Sequence, residues 1–131
     1  MYTDIMLPVD LGQEAVQAKA VETAVGLAKS MGARLHVITV VPDFGMSIVG
    51  GFFPEGHEKA AMAKATEALH AYTARVIPSD VPVQHIVGHG TIYREILVRA
   101  ERTKCDLIVM ASHRPELQDY LSQCKRIVLR H

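Results

Sequence analysis

The sequence contains no tryptophan, and its few phenylalanines and tyrosines make up only 5% of the 131 residues. Proteins that bind single-stranded nucleic acid commonly stack bases on aromatic side chains, so a platform of that kind is not expected here. An excess of positive charge is absent too, because 14 lysines and arginines are balanced by 14 aspartates and glutamates. A neutral chain lacks the basic field that attracts DNA or RNA, and we therefore expect no nucleic-acid partner.

Cysteine and long apolar runs are also scarce. Cys105 and Cys124 match no metal-binding or redox spacing, which is typical of two reduced thiols in a cytoplasmic protein. The seven histidines are scattered along the chain, and no metal site is expected. The first apolar run begins at Ile5 and extends for about five residues, which is far too short to span a bilayer. We expect neither a signal peptide nor a membrane partner.

The chain does contain a regular alternation of strand-like and helix-like segments. Short apolar runs predict strands, whereas apolar residues spaced three and four apart predict helices. Gly32 is predicted to end the first helix, and Thr91 to cap the third. The predicted strands are 5–9, 35–41, 83–87 and 107–111, and the predicted helices are 14–31, 57–76, 92–100 and 121–131.

Strands that alternate with helices in this way form a parallel sheet with helices on both faces. The run 35–41 is almost wholly apolar, as in a strand that is covered on both sides. We therefore predict a single α/β domain over residues 1–131, built on an open, doubly wound, Rossmann-like parallel sheet. Because a helix is predicted at the carboxyl end, the sheet is expected to have four strands and no fifth.

In a doubly wound sheet, ligands bind beyond the carboxyl ends of the strands, at the point where the strand order reverses. The first strand ends at Asp10, and the fourth leads into Ser112-His-Arg114. If these two strands are neighbours, both ends share one crevice. There Ser112 can donate to phosphate oxygens and Arg114 can pair with them bidentately, while Asp10 can accept from a ribose hydroxyl or hold a divalent cation.

Each of these residues also has a purely structural interpretation. Asp10 can cap the first helix or shape a turn. His113 can be an ordinary exposed loop residue, because a lone histidine is rarely catalytic. Arg114, followed by a proline, can simply end the strand and set a turn. His36, inside an apolar strand, is more typical of a hydrogen-bonded core residue than of a ligand.

Several segments of the chain resemble the universal stress protein family. The segments Ile5–Asp10 and Cys105–Pro115 carry the more specific part of the resemblance, and Leu35–Ile38 and Arg126–His131 follow in the same order. The form Ala-Ser-His-Arg-Pro at the end of the fourth strand is similar to the bacterial subgroup that includes stress proteins F and G. The resemblance implies a cytoplasmic α/β protein that is usually a homodimer, and many members of the family bind ATP.

The resemblance also implies a set of nucleotide-binding residues. The ribose contact falls on Asp10, the adenine contact on Val37, and the phosphates on the loop after the fourth strand. Two parts of the family pattern are not recognised: the glycine-containing turn, where this chain reads Ser122–Arg126, and the terminal strand that commonly forms the dimer contact. The homodimer therefore stays open. The implied set is Pro8, Val9, Asp10, Val37, Met110, Ala111, Ser112, His113, Arg114 and Ser122.

Three functions are compatible with the sequence. The first is an ATP-binding sensor or switch, with Mg²⁺ as a possible companion ion and with slow turnover or autophosphorylation at most, because no general base or P-loop lysine accompanies the site. The second is a binding or assembly module that needs no nucleotide, which the altered Ser122–Arg126 segment and the apolar loop 43–56 favour. The third and weakest is an enzyme that transfers an adenylyl group. Such enzymes generally need paired glycines or histidines at the first loop, and this chain offers only Gly12 there.

Overall fold

The computed structural model describes residues 2–41, 57–111 and 127–130. Within these ranges, five strands alternate with three α-helices, and a short 3-10 turn at Glu14–Gln17 precedes the first helix. The elements are β1 (Asp4–Pro8), α1 (Ala18–Met31), β2 (Arg34–Val41), α2 (His57–Val76), β3 (Val83–His89), α3 (Ile92–Arg102), β4 (Leu107–Met110) and β5 (Ile127–Arg130).

The strands form one parallel sheet in the order β3-β2-β1-β4-β5. The chain therefore moves outward from β1 to β3 on one side, then crosses back to place β4 on the other side of β1. The strand order reverses between β1 and β4, which is the defining property of an open, doubly wound sheet. The predicted α/β fold class is confirmed.

The core has two halves, one on each face of the sheet. Along a strand, successive side chains point to opposite faces. In β1, Ile5 and Leu7 pack with α1 and α2, whereas Met6 between them packs with α3. All three are 0% exposed. This two-sided burial explains why the strands are runs of apolar residues rather than alternating ones.

The prediction that a fifth strand is missing is wrong. Ile127–Arg130 form β5, which pairs with β4 along the whole of that strand, from Leu107 opposite Ile127 to Met110 opposite Arg130. A short apolar run does not reveal by its periodicity whether it is helix or strand. Here the free edge of β4, with its unpaired backbone groups, is satisfied by the parallel strand. The rest of the predicted helix, 121–126 and 131, lies outside the described residues.

Two of the predicted helix signals can be compared with the structure directly. Gly32 follows α1 in the left-handed conformation, with φ of 66°, and its N–H donates to the Ala28 carbonyl, as predicted for a helix end. Thr91 occupies the N-cap position of α3 with an extended backbone, but its side chain makes no capping hydrogen bond.

Candidate functional site

The carboxyl ends of β1 and β4 are neighbours at the centre of the sheet. This is the adjacency on which the predicted crevice depended. Pro8 ends β1 and Met110 ends β4, so both chain segments leave the sheet at its point of reversal. Among the predicted site residues, this brings together the first-strand group and the beginning of the fourth-strand loop. Val37 lies on β2, and four predicted site residues lie outside the described residues: Ser112, His113, Arg114 and Ser122.

The predicted residues that are described differ in their exposure. Asp10 is exposed, and Pro8 and Ala111 are half-buried, so their surfaces are available at this edge. Val9 and Met110 are buried, at 8% and 5% exposure. The backbone of Val9 extends the pairing with β2 past the end of β1, because its N–H donates to the Ile38 carbonyl at 2.8 Å.

Val37 does not lie where a ligand could reach its side chain. It is 0% exposed and belongs to the half of the core beneath α1 and α2. Direct contact between the Val37 side chain and an adenine ring is therefore not supported. In a strand that is apolar on both faces, the sequence does not show which residues are accessible.

Asp10 is held in a tight turn. Its Oδ1 accepts a hydrogen bond from the Gly12 N–H at 2.9 Å, and its carbonyl accepts one from the Gln13 N–H at 3.1 Å. The N-cap positions of the 3-10 turn and of α1 are Gln13 and Gln17, so Asp10 caps neither helix. It does shape the turn, as the structural alternative proposed. Its second oxygen, Oδ2, accepts no hydrogen bond from the described residues.

Gln17, which the sequence interpretation missed, holds the backbone of Asp10. Gln17 is 3% exposed. Its Oε1 accepts from the Asp10 N–H at 2.7 Å, and its Nε2 donates to the Asp10 carbonyl at 3.2 Å and to the Tyr72 hydroxyl at 3.0 Å. The available signal was its spacing, because Gln17 falls on the same helical face as the buried Val21 and Ala24.

Tyr72 anchors this arrangement to α2. Its side chain is buried, at 2% exposure, and this burial raises the pKa of Tyr72 above its ordinary value, while the hydrogen bond from Gln17 opposes the shift. The phenol is therefore neutral at physiological pH. Arg75 lies over the Tyr72 ring at 5.6 Å and pairs with both carboxylate oxygens of Glu14 at 3.1 Å. This ion pair is exposed and contributes little to stability.

The loop after β3 lies at the same edge, beside the end of β2. The Gly90 N–H donates to the Val41 carbonyl at 3.0 Å, and Gly90 has φ of +119°, a conformation that L side chains rarely adopt. A Cβ at Gly88 would lie 2.8 Å from Oε1 of Glu95, the same oxygen that accepts from the His89 N–H. Gly88 therefore lets β3 pass close to Glu95 of α3, whereas Gly90 supplies the positive φ of the loop.

The described histidines near this part of the sheet are not arranged as a metal centre. His85 and His89 have the four-residue spacing of helical metal ligands, but they lie on β3, where four residues extend about 13 Å. His36 is 3% exposed, with Nε2 at 2.8 Å from Asp4 Oδ1 and Nδ1 at 2.6 Å from Gln84 Oε1. Its interpretation as a hydrogen-bonded core residue is confirmed.

In the parts of the chain that the structure describes, no group of three or more histidine, cysteine, aspartate or glutamate side chains is arranged to hold a metal ion. No described helix has the length and apolar character needed to cross a membrane.

Comparison with known proteins gives a consistent family match. The model of the universal stress protein family matches residues 1–128. Universal stress protein G of Escherichia coli O157:H7 is 25% identical over 123 residues, which cover 92% of this chain and 86% of that protein.

Solved structures share the fold. A protein of the universal stress protein family from Burkholderia pseudomallei has a TM-score of 0.74 at 20% identity, covering 99% of this chain and 96% of the other. The universal stress protein from Archaeoglobus fulgidus in complex with dAMP has a TM-score of 0.70 at 17% identity, covering 98% and 97%. A universal stress protein in complex with cAMP has a TM-score of 0.61 at 17% identity, covering 99% and 96%.

Proposed function

Because the chain belongs to the universal stress protein family, we propose that it binds an adenine nucleotide, ATP, in the crevice between the carboxyl ends of β1 and β4 and acts as a sensor or switch. One observation carries the proposal. Asp10 lies at the point of strand reversal with its backbone and one carboxylate oxygen held by the protein, and its second oxygen faces no described donor. The dAMP and cAMP complexes of two fold neighbours support the choice of an adenine nucleotide.

The proposed contacts follow from the position of each group. Oδ2 of Asp10 accepts a hydrogen bond from a ribose hydroxyl, because an ionised carboxylate is a strong acceptor. Pro8 and Ala111 present the half-buried walls at the ends of β1 and β4. The phosphates then lie toward Ser112–Arg114, with His113 beside them and Ser122 as a further hydroxyl donor, and Mg²⁺ accompanies the phosphates if it is bound. Val37 supports the crevice from within the core.

Binding, rather than catalysis, is the proposed activity. The sequence offers no P-loop lysine, and phosphoryl transfer depends on cations that neutralise the developing charge. Any hydrolysis of ATP is therefore slow. The proposal further treats residues 1–131 as one cytoplasmic domain. We also propose the homodimer that is typical of the family. The sequence left it open because no terminal strand was recognised, and β5 is a terminal strand.

Titration calorimetry with ATP and Mg²⁺ tests the proposal, with Asp10→Asn as the informative variant. Asparagine retains a side-chain oxygen for the Gly12 N–H, so the turn is preserved while the charge is lost. We expect the wild type to bind and the variant to bind about 10-fold more weakly, the usual effect of losing a charge-assisted hydrogen bond. No heat and no thermal shift at millimolar ATP would overturn the proposal.

A nucleotide-independent assembly module remains the second candidate. It is favoured by the segment Ser122–Arg126, which lacks the glycine expected where the chain approaches the phosphates. Acid extraction of protein purified without added nucleotide, followed by chromatography and mass spectrometry, separates the two candidates. ATP recovered in stoichiometric amount would contradict the nucleotide-independent function.

A further inference from the structure

We propose that Gln17 is the positioning residue of this site, and that its side-chain amide, anchored on Tyr72 of α2, determines where the Asp10 carboxylate points. The inference rests on the proposed nucleotide-binding function. It adds a residue outside the crevice to the recognition of the ribose, and it connects the crevice with a helix that does not border Asp10 in the sequence.

The amide of Gln17 pairs with Asp10 as a neighbouring strand would. In a sheet, the backbone N–H and carbonyl of one residue are satisfied by an acceptor and a donor beside them. Asp10 lies two residues beyond the end of β1, and Gln17 supplies both groups there, with Oε1 at 2.7 Å from the Asp10 N and Nε2 at 3.2 Å from the Asp10 carbonyl. The backbone of Asp10 is thereby held in place outside the sheet.

Only one orientation of this amide satisfies its neighbours. The Asp10 N–H can only donate and the Asp10 carbonyl can only accept, so Oε1 must face the first and Nε2 the second. Glutamate at position 17 would present an anionic oxygen to the carbonyl. Leucine would leave the Asp10 N–H unpaired at a position that is 3% exposed, and would leave Gln13 as the one described donor to the carbonyl. The requirement for glutamine is therefore specific.

Tyr72 makes the amide rigid. The second N–H of Gln17 donates to the Tyr72 hydroxyl at 3.0 Å, and Tyr72 is 2% exposed. The three bonds of Gln17 thus connect the end of β1, the 3-10 turn and α2. A side chain held at both of its amide atoms within the core loses its rotamer freedom on folding, before any ligand arrives.

The consequence for the ligand lies in the remaining atoms of Asp10. The carbonyl accepts from both Gln13 and Gln17, and Oδ1 accepts from Gly12. Among the described residues, only Oδ2 has no donor, so the direction of this one oxygen follows from the direction of the Asp10 backbone. Releasing the backbone would spread Oδ2 over many positions, and the penalty of ordering it would then fall on ligand binding.

The test compares ATP with 2′,3′-dideoxy-ATP, because the ratio of their dissociation constants reports the ribose contact alone. For the wild type, we expect ATP to bind about 10-fold more tightly than the dideoxy analogue, as a hydrogen bond to a charged acceptor implies. For Gln17→Leu and Gln17→Glu, we expect the ratio to fall to about 2, with the affinity for the dideoxy analogue changed less than about twofold. Tyr72→Phe should give an intermediate ratio.

The matched control is Val16→Ala, on the same 3-10 turn but 45% exposed, and it should retain the wild-type ratio. A residue with a merely structural role would lower the melting temperature without changing the ratio in the protein that remains folded. If Gln17→Leu does not fold, Tyr72→Phe carries the test, since it removes a single oxygen.

The outcomes separate the two proposals. A wild type that binds no ATP overturns the proposed function and this inference with it. A wild type that discriminates, together with Gln17 and Tyr72 variants that discriminate equally well, overturns the positioning role and leaves the proposed function standing. If the wild type binds both nucleotides equally, Asp10 does not contact the ribose hydroxyls, and the positioning role of Gln17 is overturned as well.

Discussion

Carboxylates at the amino ends of the strands differ in their hydrogen bonding from the Asp10 carboxylate at the carboxyl ends. At the amino ends, Asp4 has one oxygen at 2.8 Å from His36 and the other accepts from the Thr3 hydroxyl at 3.1 Å. Asp106 accepts with both oxygens from the backbone N–H groups of Thr3 and Asp4, at 3.1 and 3.2 Å. Each of the four carboxylate oxygens of these two residues has a partner within the protein.

At the carboxyl ends, the carboxylate of Asp10 is bonded in another way. Gly12 occupies one oxygen, while Gln17 and Gln13 satisfy the backbone. The neighbouring groups bond to the backbone of Asp10 and to Oδ1, and no described group donates to Oδ2. The comparison teaches that an acidic residue at a sheet edge is a candidate for ligand binding when its own backbone is held and its carboxylate is left partly unpaired.

The largest expected effect comes from Val37→Asp, which should prevent folding and so abolish both edges of the sheet. Val37 is 0% exposed in the two-sided strand β2. A buried charge without a partner costs several kcal/mol, roughly the whole stability of a small domain, so the variant should fail to fold. Circular dichroism and urea denaturation measure this. Val16→Asp, at a 45% exposed position, should stay folded, and a folded Val37→Asp would show that this part of the core admits water.

A smaller effect is expected from His36→Ala, which acts on the amino edge only. The variant leaves Asp4 and Gln84 without their shared partner and opens a cavity in β2, at a cost of about 2–4 kcal/mol. Urea denaturation should show the loss, whereas calorimetry should show ATP affinity within about twofold of the wild type. A parallel loss of affinity would mean that the two edges are not independent.

Asp10→Ala, at the carboxyl edge, should have the opposite pattern, with a small loss of stability and a clear loss of ATP affinity. It removes the hydrogen bond from Gly12, at a cost of about 0.5–1.5 kcal/mol in the free energy of unfolding, and it weakens ATP binding about 10-fold. Thermal melting and calorimetry measure the two effects. A sharp fall in the melting temperature with unchanged affinity would reduce Asp10 to a turn-forming residue.

The smallest effect is a pH dependence that belongs to neither edge. Burial, followed by the nearby His70, lowers the pKa of His85 below its ordinary value of about 6.5. The unfolded chain takes up this proton at a higher pH than the folded chain, so the free energy of unfolding falls as the pH drops through about 6.5.

Urea denaturation at pH 7.5 and 5.5 measures this dependence, with His85→Gln as the comparison. Glutamine does not titrate and can still reach the Thr73 hydroxyl, which lies 2.7 Å from His85 Nε2. The wild type should lose more stability than the variant between the two pH values. Equal losses in both proteins would assign the pH dependence to other groups.

Most of the fold could be predicted from the sequence. The apolar runs 35–41 and 107–111 contain strands because their side chains can be buried on both faces, and Gly32 ends α1 because it accepts a positive φ. The position of Asp10 at a strand end also followed from the pattern. These features are local, so a short window of residues contains the information.

Other features depend on partners far away in the sequence. Ile127–Arg130 is a strand because the edge of β4 is beside it, and Val37 is inaccessible because α1 and α2 cover its face of the sheet. The role of Gln17 appears only when Tyr72, 55 residues further on, closes over it. No local window shows these neighbours.

The sequence by itself determined the alternation of strands and helices, the fold class and the location of Asp10 at a strand end, since hydrophobic periodicity and backbone conformation are properties of neighbouring residues. Only the tertiary structure decided which oxygen of Asp10 is left for a ligand. That choice depends on which distant groups reach the others, and hydrogen-bond partners are assigned by packing in three dimensions.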